Sequence, residues 1–190
     1  MTVATDRLMN LEEYLCYDAE DGAVRVLENG RLVEIPPESD LNAAIAIALL
    51  AHFLQFIPPT RLRNKTEIAV TGYRTTTRIP DLTILTDDLA KALAERPSSI
   101  ILPDMPPPLL VLEVVSPGRE NELRDYRYKR SEYAARGIPE YWIVDPVAAK
   151  VTVLMLVAGL YEAQVFQGEA VVTSTLFPNF NLTVEQILHP

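Results

Sequence analysis

A mixed β-sheet flanked by helices, an α/β (α+β) fold, is what the sequence predicts, on three observations. Strand-like and helix-like segments alternate through the middle of the chain. Residues 109–115 are apolar at every position but Glu113, the composition of a central strand covered on both faces. A helical stretch, residues 120–136, separates that strand from the next, which carries the only tryptophan, Trp142.

Each element has a local reason. Residues 8–17 read as a short helix, with Asn10 as its N-cap and Glu13 three positions on. Residues 24–27 and 32–35 form an N-terminal hairpin around Glu28-Asn29-Gly30-Arg31, with Asn-Gly at the turn, and Pro36-Pro37 stops it. Ser39 or Asp40 caps a helix to about residue 56, which Pro58-Pro59 ends. Residues 67–70 are a strand, and residues 75–79 lead into another at 81–85, rich in branched side chains. Asp87 opens a helix to about Ala94. Residues 97–108 hold five prolines and no glycine, which predicts a stiff loop.

In the central strand, alternation puts Leu109, Val111, Glu113 and Val115 on one face and Leu110, Leu112 and Val114 on the other. Gly137 suits the position just past a helix end. Residues 140–144 are the next strand, closed by Asp145-Pro146, and Trp142 within it is read as core. Residues 150–156 and 161–166 make a C-terminal β-hairpin around Ala158-Gly159. Residues 171–172 read as a short edge strand, and Thr183 caps a last turn or two through Leu188.

The bulk numbers narrow the class. A chain of 190 residues, 48% apolar in short runs, fits a single globular domain, 1–190. Its longest apolar stretch, residues 43–56, is broken by His52 and Gln55 and is too short to span a membrane. The acidic first twenty residues are not a signal peptide. Cys16 is the only cysteine, which excludes an intrachain disulfide and a cysteine-based zinc cluster and suits a reducing cytoplasm. With seven glycines and no glycine-rich turn before a helix, there is no phosphate loop. His52 and His189 lie far from the acids in sequence, which argues against a His zinc site or a Ser-His-Asp triad. A net charge of −9 argues against broad nonspecific adhesion to DNA. Locally the balance reverses: Arg119, Arg124, Arg127, Lys129, Arg130 and Arg136 face Glu120, Glu122, Asp125 and Glu132, an excess of two bases.

The candidate chemistry lies in two acids and a lysine. An acid inside an apolar strand is costly to bury unless it is paired or holds a cation. Glu113 is such a residue, and Asp81, after Pro80, starts another apolar segment. Asp125, Lys129 and Tyr133 are spaced by four and share a helix face, so an ordinary i,i+4 ion pair is the competing reading for the first two. On neighbouring strands, two acids with a lysine in reach could hold a hard divalent metal that cleaves phosphodiesters.

Pro80-Asp81, then Leu112-Glu113-Val114-Val115-Ser116-Pro117, Asp125-x-x-x-Lys129, Tyr133 and Gly137-Ile138-Pro139-Glu140-Tyr141-Trp142-Ile143-Val144-Asp145-Pro146 resemble the Uma-type family of putative restriction endonucleases, in the PD-(D/E)xK nuclease superfamily. Asn29-Gly30-Arg31-Leu32-Val33 before a capped helix also fits, so the resemblance covers nearly the whole chain. It departs at Val115, where the superfamily carries its lysine, and at Asn42, where many relatives have histidine.

The resemblance implies a restriction-endonuclease-like mixed sheet with the two hairpins as additions, and a Mg²⁺- (or Mn²⁺-) dependent nuclease acting on DNA. Asp81, Glu113 and the backbone carbonyl of Val114 would bind the metal. Lys129 would orient water or stabilise developing charge, supported by Asp125 and Tyr133, while Arg127 or Arg130 could touch phosphate. Glu34, Glu38 and Glu67 are unranked candidates for a third carboxylate. The alternative is a non-cleaving module of the same fold that binds nucleic acid or a protein partner. The apolar C-terminal hairpin also suits edge-to-edge pairing in a homodimer.

Overall fold

The computed structural model describes residues 2–18 (side chains from Arg7 on), 22–70 and 74–190. The chain opens with β1 (Thr2–Leu8), helix α1 (Leu11–Leu15), β2 (Arg25–Glu28) and β3 (Arg31–Glu34), and the strands form a small antiparallel sheet, β1-β3-β2. Asn29 and Gly30, with φ of 53° and 77°, both take the left-handed conformation that a two-residue hairpin turn needs. The expected helix at residues 8–17 is shorter at both ends. Leu8 belongs to β1, and the Asn10–Glu13 capping box fixes the helix start at Leu11.

Helix α2 (Asp40–Phe53), capped by Ser39, leads through a 3₁₀ turn at Pro59–Arg61 to β4 (Leu62–Arg63), β5 (Glu67–Val70), β6 (Thr76–Arg78) and β7 (Leu82–Ile84). After α3 (Asp87–Ala94) and β8 (Ile100–Ile101) comes β9 (Leu110–Val114). A helical run follows, made of α4 (Arg119–Leu123), a π-helical turn (Arg124–Lys129) and α5 (Arg130–Ala135). The chain then forms β10 (Glu140–Asp145), β11 (Lys150–Val157), β12 (Leu160–Gln167) and α6 (Val184–Leu188).

Six strands build the main sheet in the order β12-β11-β10-β9-β7-β4. Only β9 and β10 are parallel, and the helical run joins them as their crossover. A second sheet, β6-β5-β8, lies apart from it. The mixed α+β sheet expected from the sequence is therefore present, with four corrections. Residues 75–85 are not one run: Ile79-Pro80 divides β6 from β7, which sit in different sheets, because proline cannot continue the ladder. The proline-rich loop contains β8, paired parallel with β5. The C-terminal hairpin is the edge of the main sheet and not an addition to it. Residues 171–172 contribute one isolated bridge, Val171 to Thr183, and no strand.

Strand β9 is covered on both faces, as its composition predicts. Leu110, Leu112 and Val114 pack with Trp142 against α2 and α6, while Val111 and Val115 pack with Tyr141 against α3 and α5. Phe53 of α2 is fully buried, its ring 5.8 Å from Trp142, 5.5 Å from Phe177 and 5.2 Å from Phe180. His52 stacks edge-on against Phe56 and Phe180 at the rim of this cluster. Phe53→Ala should cost about 3–5 kcal/mol of stability through lost burial and the cavity left behind, measured by urea unfolding.

Candidate active site

The cleft is built where β7 begins. Register pairs Leu82 with Leu112, so the step before β7 sets Asp81 across from Glu113. The register of β7 with β9 begins at Leu82, and just before it the Asp81 side chain supplies the acceptor that a main-chain carbonyl would otherwise provide. Its Oδ2 accepts from the Val114 amide at 2.6 Å. Within a strand the amide and carbonyl of one residue point the same way. The Val114 carbonyl accordingly faces the cleft side, where the Asn42 amide group donates to it at 3.2 Å. Asn42 also donates to Ser116 Oγ at 3.2 Å, which ties α2 to the end of β9.

Just beyond β9 the chain bends at Gly118, whose φ of 115° is one that L side chains rarely take. The bend returns the helical run across Glu113. Lys129 Nζ lies 2.7 Å from Glu113 Oε2 and 2.7 Å from Asp125 Oδ1, and Tyr133 donates to Glu113 Oε1 at 2.7 Å. Asp125, Lys129, Tyr133 and Glu113 are all buried. The Tyr141 hydroxyl donates to the main-chain carbonyl of Asp125 at 3.0 Å. A regular α-helix would offer that acceptor to the amide four residues on, and such an insertion accompanies the opened π-helical turn.

A cavity of about 330 Å³ is lined by Asp81, Glu113, Asp125 and Lys129 together with Glu38, Lys65, Arg78 and Arg124. Lys65 bridges Asp81 and Glu38, its Nζ touching Asp81 Oδ1 and lying 2.8 Å from Glu38 Oε2. On the cavity wall, buried Arg78 makes a two-pronged bond to Glu132 (2.8 and 2.8 Å) and a third bond to Glu28 at 2.8 Å.

Burial governs the electrostatics of the site. Burial pushes the Glu113 carboxyl up to about 7, with Asp81 and Asp125 adding to the rise in spite of Lys129. Burial, with Asp81 beside it, also raises Glu38. Burial alone would lower Lys129, but Glu113 and Asp125 outweigh it and hold the ammonium above its usual range. Asp81, Glu113 and the Val114 carbonyl are all oxygen donors, the set that suits a hard divalent cation. Among the described residues no three His, Cys, Asp or Glu side chains are grouped for a metal. A cation here would thus draw on two carboxylates, main-chain oxygen and water, as Mg²⁺ commonly does.

The structure brings together Asp81, Glu113, Val114, Asp125, Lys129 and Tyr133, and it ranks the three glutamates. Only Glu38 enters the cleft. Glu34 is exposed beside Arg25, and Glu67 accepts from the Tyr14 hydroxyl at 2.7 Å in a neighbouring groove. Arg127 is exposed outside the lining, and Arg130 donates to the Tyr161 carbonyl at 2.8 Å, away from the cleft. Sequence reasoning misses Lys65 and counts Arg124 only among the local bases, without a place in the site. Arg124 shares the helix of the predicted lysine, a usable signal, whereas Lys65 lies on a turn with none.

Residues 11–185 match the Uma2 family, described as "Putative restriction endonuclease". This mixed sheet with its two-carboxylate cleft is a nuclease-like fold, and the chain belongs to the Uma2 family. Its fold is similar to the crystal structure of "a putative nuclease belonging to DUF820 from Anabaena variabilis ATCC 29413". The TM-score is 0.70 at 15% identity, over 95% of this chain and 98% of that one. No curated protein matches the chain. No helix among the described residues is long and apolar enough to cross a membrane.

The Glu113 environment has a measurable consequence. A carboxyl raised in the folded state favours folding while protonated, and that contribution is lost as pH climbs from its unfolded value through about 7. Glu113→Gln stays neutral throughout. The melting temperature of the variant relative to wild type should therefore rise between pH 5 and pH 8, by thermal unfolding at both pH values.

Proposed function

We propose that this member of a nuclease family is a divalent-metal-dependent enzyme that hydrolyses DNA phosphodiester bonds. The observation that carries the reading is the pairing of Asp81 with Glu113 on adjacent strands at the floor of the cleft. Asp81, Glu113 and the Val114 carbonyl would hold the cation, supported by their oxygen chemistry and by their place together on the cleft lining. When bound, such a cation polarises the scissile phosphate and lowers the pKa of the attacking water.

The protein's own groups divide the remaining work. Tyr133 and Lys129 each engage one Glu113 oxygen and so fix the carboxylate's orientation. Lys129, clamped by Asp125, keeps its ammonium charge beside the reacting phosphate and steadies negative charge as it develops. It thereby takes the part that Val115 cannot play. Arg124, with its Nη2 donating to Asn121 Oδ1 at 2.9 Å, is the arginine placed to meet a flanking phosphate, ahead of Arg127 and Arg130. The exposed edge of β12 suits pairing with a second copy, an arrangement by which two sites could address two strands.

Titration of Mg²⁺ or Mn²⁺ by calorimetry, with plasmid nicking on the same samples, tests the reading. Wild type should bind metal and nick, and both should be lost in Asp81→Ala while the circular dichroism spectrum is kept. DNA binding in EDTA with no product on adding metal would favour the non-cleaving module instead. Light scattering at micromolar concentration should report a dimer.

A further inference from the structure

Two lysines enter the cleft, and they are not equivalent. Lys129 has a side chain only 9% exposed, locked between two buried carboxylates. Lys65 is 41% exposed and reaches Asp81 and Glu38 from the rim, so it can leave Asp81 without opening the buried part of the site.

Its backbone is held in place independently of its ammonium. Lys65 has a φ of 59°, in the left-handed region that favours glycine. The Asn64 side chain donates to the main-chain carbonyl of Asp81 at 2.9 Å, which clips the turn against the same residue that Lys65 contacts. On its other side Thr66 Oγ1 lies 3.2 Å from Ser99 Oγ. If Nζ left Asp81, Lys65 would remain at the cleft mouth.

That mouth is also a junction. Lys65 and Ile79 line both the acid cleft and a neighbouring cavity of about 400 Å³ bordered by Tyr14, Tyr17 and Ser98. A polyanionic backbone seated in the cleft and running on into that groove would pass the lysine.

We propose that Lys65 is a tethered counter-cation that occupies Asp81 until a divalent metal displaces it, and that it then contacts the phosphate backbone of the substrate. The inference rests on the metal-dependent reading above. It assigns Lys65 two opposite effects, weakening metal binding by competing for Asp81 and aiding cleavage once released.

Calorimetric titration of Mn²⁺ into the full chain, as wild type, Lys65→Met and Lys65→Arg, separates them. Lys65→Met should bind Mn²⁺ about tenfold more tightly, the equivalent of losing one competing charge pair of about 1.4 kcal/mol. Its plasmid nicking at saturating Mn²⁺ should nevertheless fall by about tenfold. Lys65→Arg, which keeps the charge, should stay near wild type in affinity and recover part of the nicking. Unchanged Mn²⁺ affinity in Lys65→Met, or nicking at the wild-type rate, would overturn the proposal while metal-dependent nicking by wild type left the nuclease reading standing. Wild type that binds no metal would remove both.

Discussion

An ionised carboxylate has no place in the middle of a doubly covered strand unless its surroundings are arranged for it, and Glu113 imposes that demand here. Its two oxygens take a phenol and an ammonium, and the ammonium needs Asp125 in turn. Those three partners sit on one helical run, so the position of that run over β9 is set by the acid beneath it. The bend at Gly118, the widened turn at Arg124–Lys129 and the Tyr141 hydroxyl on the Asp125 carbonyl all serve that placement. Removing Lys129 would leave Glu113 and Asp125 buried without the cation they share.

Asp81 solves a different problem with the same kind of group. The ladder between β7 and β9 stops at Pro80, and the amide of Val114 would be left without an acceptor. The aspartate side chain accepts from it. One oxygen thus completes the sheet while the other remains turned to the cleft and to Lys65. The acid pair is assembled by ordinary strand pairing, with no long loop needed to carry either residue.

Much of this was legible in the chain itself. Glu113 stands out because every neighbour is apolar, and Asp125, Lys129 and Tyr133 because spacings of four residues put them on one face. Other features leave no such trace. Lys65 is sixteen positions before Asp81, on a left-handed turn that no side-chain pattern announces. Asn42 gives no hint that its amide group will meet the Val114 carbonyl, because that contact spans two elements distant in sequence. Two-residue strands such as β4 and β8 are too short to show alternation. The split between β6 and β7 turns on a single proline, whose effect on sheet membership is decided only by tertiary packing.

The wall opposite the acids is attached in another manner. The amides of Leu27 on β2 and of Asn29 in the hairpin turn donate to the hydroxyls of Thr77 and Thr76, at 3.0 and 3.0 Å, where a continuous sheet would have used carbonyls. Arg78 adds its bond to Glu28. The N-terminal sheet is therefore fastened mainly by side chains, with a main-chain bond from the Gly30 amide to the Thr75 carbonyl at 2.7 Å, to a neighbour whose own ladder is complete without it. An attachment of this kind is modular: the roof over the cleft can be redrawn by evolution or by design, in length and in side-chain shape, while the hydrogen-bonded floor that carries Asp81 and Glu113 keeps its dimensions.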